Sequence, residues 1–168
     1  MGLKERKARE RQARKRQILT ATRELLFEKG MQATSISRIA KRAELGVGTI
    51  YFYYQSKEEI FYALQEEGLE ILFQQIEAIG HSDQAPADML RATAFAYLDF
   101  SAGHKNYFDI INYFLATPTV LLGAEFKSRI DHKGGRILDL IADCIERGVA
   151  QRQFRQVSPR RTAVLFWG

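Results

Sequence analysis

Apolar residues recur at helical spacing along most of this chain, and only three prolines interrupt them. Ile18, Ala21, Leu25 and Leu26 share one face of a first helix predicted over residues 9 to 29. Gly30 stops it, because glycine takes the left-handed conformation without steric cost. In "QATSISRIAKRAE", Thr34 or Ser35 caps a short helix that turns Ile36, Ile39 and Ala40 inward and Arg38, Lys41 and Arg42 outward. A break at Leu45-Gly46 precedes a second short helix, "VGTIYFYY". Ser56 as cap, with Glu58 and Glu59 in the first turn, opens a longer one. Its apolar positions Ile60, Leu64, Ile71, Leu72, Ile76 and Ile79 predict a single helix over 56–79, about 35 Å long, suited to joining a front module to a body.

Pro86 and the polar residues of "HSDQAPADM" mark a linker. Helices in "DMLRATAFAYLDFSA" and "KNYFDIINYFLA" follow, then a turn at Thr117-Pro118. A long periodic stretch holds Phe126, Ile130, Ile137, Leu138, Ile141, Ile145 and Val149; Gly134-Gly135 inside it is either a kink or a close contact. A last helix starts with Ser158 as cap and Pro159 in first position. The chain is therefore predicted to be all-α.

Charge changes this picture more than composition does. Residues 1–60 carry 14 Lys and Arg against 7 Asp and Glu, whereas residues 61–168 carry 11 against 13. A basic front on a mildly acidic body suggests a polyanion-binding module attached to something with another task. The run "KERKARERQARKR" reads equally as a binding arm or as a solvated helix end. No run of about 18 apolar residues and no secretory core is present, so neither a membrane span nor export is expected. The single cysteine, Cys144, fits a reducing cytoplasm and reads as buried filler. His81, His104 and His132 lie too far apart for a zinc spacing, and no phosphate loop or nucleophile elbow occurs. No enzyme, cofactor or metal is expected.

The stretch "AELGVGTIYFYY" raises a sharper question. Tyr51, Phe52, Tyr53 and Tyr54 cannot all be buried by a segment this short. Two short helices joined by a tight turn after a longer one form a helix-turn-helix arrangement, which gives the leftover rings a use. Residues 34–61, "TSISRIAKRAELGVGTIYFYYQSKEEIF", resemble the DNA-binding signature of the tetracycline-repressor (TetR) family at Thr34 or Ser35, Ile39, Ala40, Ala43, Gly48, Thr49, Tyr51, Tyr53, Ser56, Lys57 and Glu58. Two positions depart from it: Glu44 stands where glycine is usual, and Gly46 where serine caps the recognition helix. Glu44 must adopt the dihedral glycine would have held, or the turn shifts through Gly46.

On this reading Ile50 and Tyr54 face the module's core, and Gly48 leaves the helix surface bare for close approach of DNA. Thr49, Tyr51, Tyr53 and Lys57 reach the sugar-phosphate backbone, and Val47 and Phe52 probe thymine methyls in the major groove. Thr34, Ser35 and Arg38 are further candidate DNA contacts, and Arg11, Arg14 and Arg16 are candidates for a minor-groove arm. The domains expected are 1–56, the helix-turn-helix with its basic arm, and 57–168, a larger helical body.

The resemblance implies that the body binds an effector and dimerises, so that a homodimer grips a palindromic operator on double-stranded DNA and a ligand releases it. Residues 95 to 114 hold seven of the chain's aromatic residues. Phe95, Tyr97, Phe100, Phe108, Asn112 and Tyr113 are candidates for a pocket taking a small apolar effector, although such stripes are more often core. Family members end in two helices that form the interface with the partner, and this chain stops within what would be the first of them. Either sequence is missing or the dimer uses a different surface, and a stop on "VLFWG" reads as missing sequence. The rival is a DNA-binding adaptor or nucleoid-associated protein with a protein partner and no small effector.

Overall fold

The computed structural model describes residues 2–116 and 124–167, with side chains for 2–114 and 128–167. Among them are eight helices and no strand: α1 (Leu3–Lys29), α2 (Ile36–Arg42), α3 (Val47–Tyr53), α4 (Lys57–Gly80), α5 (Pro86–Gly103), α6 (Lys105–Ala116), α7 (Ala124–Ala150) and α8 (Pro159–Trp167). The chain forms two compact units, Met1–Leu64 and Gln65–Gly168.

In the first unit α1 begins at Leu3, well before the predicted residue 9. Lys, Arg, Gln, Glu and Ala all favour helix, and neither glycine nor proline breaks the run. The Gly2 N–H donates to the Glu5 carboxylate at 2.9 Å, which satisfies one of the free donors at the helix start. Burial begins only later, with Ile18, Leu19, Ala21, Thr22, Leu25 and Leu26. Gly30, at φ 73°, ends the helix, and its N–H donates to the Leu26 carbonyl.

Ser35, rather than Thr34, caps α2: its Oγ accepts from the Arg38 N–H at 3.4 Å. Glu44 takes the left-handed turn at φ 53°, while Gly46 is extended at φ −70° and serves only as cap of α3. The turn is therefore not displaced; a residue with a Cβ holds a conformation that costs it about 1–2 kcal/mol. The Gln17 amide donates to the Ala43 carbonyl at 2.7 Å, and Arg42 pairs with Glu24 (3.2 Å) and Glu28 (2.5 Å). These contacts tie α1 to the end of α2. Ile18, Ile39, Ala40 and Ile50 complete the core, each large side chain contributing about 1.5–3 kcal/mol by leaving water.

The second unit contains the rest of α4 and α5 to α8. Gly68 on α4 meets α6 closely, since a Cβ there would lie 2.8 Å from Tyr107 Cβ. The Tyr107 hydroxyl donates to Glu67 at 2.9 Å. Arg129 pairs with Glu66 at 2.6 Å, and Lys133 with Glu70 at 2.8 Å. Arg136 also reaches Glu70 at 3.6 Å while its guanidinium sits 3.6 Å from the Phe73 ring centroid.

Pro86 opens α5 instead of lying in the linker, because a proline costs nothing at the first helical position. Gly134-Gly135 does not break α7, and the Gly135 carbonyl accepts from Arg160 of α8 at 3.4 Å. Ile137, Ile141, Cys144 and Ile145 are buried along α7. The Thr117-Pro118 turn, the Phe126 side chain and Gly168 lie outside the described residues.

Candidate nucleic-acid interface

The short helix α3 sorts its residues by face. Ile50 is fully buried and Tyr54, which follows the helix, is 4% exposed, so the i, i+4 pair anchors the segment as expected. Its other side is open: Val47, Gly48, Tyr51 and Phe52 are exposed, Tyr51 at 52% and Phe52 at 70%. Thr49 and Tyr53 are half-buried. The Phe52 ring stands edge-on to Tyr53 at 5.0 Å between centroids. No atom lies within 4 Å of where a Gly48 Cβ would be, so packing within the protein does not require glycine there.

Cations approach the rings at the end of this helix. The Arg11 guanidinium lies 6.0 Å from the Tyr53 ring centroid, and the Lys15 ammonium 5.2 Å from that of Tyr54. Both distances are within the range of cation–π attraction. Lys57, half-buried at the start of α4, holds its ammonium 5.5 Å from the Phe61 ring. Glu59 and Ser56 fix that start: the Ser56 Oγ accepts from the Glu59 N–H at 3.2 Å, and the Glu59 carboxylate accepts from the Gln55 N–H at 2.5 Å. The Arg42 guanidinium holds the Glu28 carboxyl below its ordinary range, chiefly through their hydrogen bond.

Other predicted contacts are placed differently. Thr34 is only 1% exposed, and its hydroxyl donates to the Gly30 carbonyl at 2.9 Å. It braces the turn before α2 and leaves Ser35 as the surface hydroxyl there. Arg38 is exposed, but it donates to the Ala33 carbonyl at 2.5 Å. Arg11, Arg14 and Arg16 stand on the continuous helix α1, and Arg14 donates to Gln17 at 2.7 Å. Lys15, four residues after Arg11, joins it beside the rings at the end of α3.

The predicted ligand residues differ in burial and in their partners. Phe100 is core at 1% exposed, and Phe95 is exposed. The Asn112 amide donates to the Phe108 carbonyl one turn back, and Tyr113 packs edge-on to Phe114 at 5.2 Å. Of these residues, Tyr97 lines a cavity of about 210 Å³, together with Thr93, Ala94, Leu98, Phe166 and Trp167. The Tyr97 ring lies 5.0 Å from Trp167 and 5.7 Å from Phe108, and burial pushes its phenol above the ordinary range. Thr93, Ala94 and Leu98 share a face of α5 with Tyr97 and were legible from spacing; the α8 residues were not. Among the described residues, no His, Cys, Asp and Glu cluster suits a metal ion, and no helix is long and apolar enough to cross a membrane.

Comparison with known proteins bears on both units. Residues 18–64 match the family model for bacterial regulatory proteins of the tetR family. A fatty acid metabolism regulator protein of Bacillus subtilis is 32% identical over 90 residues, covering 54% of this chain and 46% of its own length. The chain thus aligns with about half of that relative. A tetR-family regulatory protein from Rhodococcus RHA1 has a similar structure, with TM-score 0.76, 25% identity and coverage of 91% of this chain and 78% of its own. The structure of AibR in complex with isovaleryl coenzyme A and operator DNA gives TM-score 0.72 at 22% identity, over 92% and 82% of the two chains, a likeness of fold.

Proposed function

We propose that the chain is a ligand-released transcriptional repressor of the tetR family of bacterial regulatory proteins, whose family model its residues 18–64 match. The observation that carries this reading is the outward face of α3. A short helix anchored by Ile50 and Tyr54 presents Val47, bare Gly48, Tyr51 and Phe52 to solvent beside Arg11 and Lys15. Such a helix enters a major groove, where hydroxyls and N–H groups of Ser35, Thr49, Tyr51 and Tyr53 meet phosphates and Val47 and Phe52 meet base edges. Lys57 adds a cation along the same backbone track.

Two modules in a homodimer would engage two half-sites of a palindrome about one helical turn apart. The apolar cavity beside Tyr97 and Trp167 supports an effector with a small apolar group. Similar proteins named as a fatty acid metabolism regulator and as a complex with isovaleryl coenzyme A favour an acyl compound. Helix α4 starts in the first unit and ends in the second, so a ligand that prefers one arrangement of α4 would change the fit of both modules to DNA.

A fluorescence titration of the protein onto a duplex selected from a random pool tests the DNA reading. Cooperative binding of two protomers, with affinity falling steeply with salt, is expected; single-site or salt-insensitive binding would refute it. Thermal shift with a panel of acyl coenzyme A compounds, followed by release from that duplex, tests the effector. An acyl compound that stabilises the protein but leaves it on DNA would remove the ligand-released part and leave the DNA-binding part.

A further inference from the structure

The first turns of α1 carry a charge pattern that the recognition helix does not use. At about 100° per residue, Lys4, Lys7, Arg11, Arg14 and Lys15 fall within one sector of the helix about 100° wide. Glu5, Glu10, Arg6, Arg9 and Arg16 all fall outside it. The pairing of Arg6 with Glu10, at 3.5 Å, belongs to the other side. The cationic sector runs directly into Ile18, which is buried in the core of the first unit. Within it, Arg11 and Lys15 lie against the Tyr53 and Tyr54 rings. The stripe is therefore fixed in rotation by packing, on the side of α1 that meets the end of α3.

Residues 2–14 are all exposed, so no apolar burial holds this part of the helix. Like charges three and four residues apart disfavour it. A partner that supplies closely spaced negative charge removes that penalty, and the stripe's rise from residue 4 to 15, about 17 Å, is close to the axial span of about six successive phosphates on one strand. A helix with its side chains is about 10–12 Å across, whereas the minor groove is about 6 Å wide, so the helix cannot sink into it.

We propose that the Lys4–Lys7–Arg11–Arg14–Lys15 stripe of α1 is a second DNA-contacting surface that lies along the phosphate backbone flanking the recognition site and binds it without reading sequence. The proposal rests on the DNA-binding reading above and deepens it. Arg11 and Lys15 also latch the stripe to the recognition helix, so the two surfaces engage one duplex together. Arg16 points away and takes no part.

The test uses the full chain in two triple variants of equal charge. K4Q/K7Q/R14Q empties the stripe but keeps the latch, and R6Q/R9Q/R16Q removes three cations from the other sector. Binding to a random-sequence duplex and to a duplex selected by the wild type is measured by fluorescence anisotropy over a salt series, with helicity checked by circular dichroism. The stripe variant is expected to lower the log–log salt slope by about 2–3 per chain on both duplexes. Between about 50 and 200 mM salt, the wild type then loses about 40-fold more affinity per bound chain than the stripe variant. The other variant should change the slope by less than about one. Equal effects of the two variants, or no effect of the stripe variant, would overturn the proposal while leaving DNA binding intact. So would a loss confined to the selected duplex. A wild type that binds neither duplex would overturn the DNA-binding reading and the stripe with it.

Discussion

Replacing Gly48 by alanine separates what α3 needs for folding from what it needs for DNA. A Cβ at this position meets nothing within 4 Å, and the residue is the second of the helix, with no positive φ to preserve. Alanine should therefore stabilise the protein by about 0.5–1 kcal/mol, because the unfolded chain loses freedom and the helix gains a better former. On the proposed interface the same methyl group would stand where the helix surface approaches the groove. If the helix retreats enough to lose one hydrogen bond to a phosphate, about 1.5–3 kcal/mol is forfeited, or about 10- to 100-fold in affinity. Urea unfolding and anisotropy on the selected duplex measure the two effects on one sample. A higher urea midpoint with weaker binding is expected. Wild-type affinity would show that the surface beside Gly48 does not touch DNA, and the interface drawn on α3 would be wrong. A lower midpoint would refute the packing argument instead.

Glu44→Gly should raise stability by up to about 1 kcal/mol: relief of the left-handed backbone at φ 53° outweighs the about 0.4–1 kcal/mol of added chain entropy, and urea unfolding decides the sign. Glu70 is held below its ordinary value of 4.5, first by its hydrogen bond from Lys133. A carboxyl titrating lower in the folded state contributes stability that is complete above that value and lost as pH falls through the folded one. Glu70→Gln should thus be less stable than wild type at neutral pH and converge with it in acid; unfolding curves that stay parallel would count against the pairing. Burial pushes the Cys144 thiol up, and it donates to the Pro86 carbonyl at 3.3 Å, so it should resist a disulfide reagent at neutral pH until urea unfolds the chain. Rapid labelling of the native protein would contradict that placement.

Helix identity, caps and the DNA-binding signature were legible because they depend on neighbours a few residues apart. Ser35 and Gly30 act through backbone groups within one turn, and Ile50 with Tyr54 needed only a spacing of four to be assigned inward. Even so, the start of α1 was misplaced: solvated basic residues carry no apolar period, and their helical propensity was the better guide.

Tertiary structure decided the rest, because an apolar stripe looks the same whether it meets core, cavity or solvent. Phe95 and Phe100 differ by five residues and share a character, yet one is exposed and the other buried. Thr34 and Ser35 are adjacent hydroxyls, and only packing sent one beneath the turn. The cavity joins Tyr97 to Trp167 across two helices far apart in sequence, a pairing that no local period encodes. The direction of the cationic stripe likewise followed from where Ile18 is buried, since a helix fixed at one end sets the azimuth of every residue beyond it.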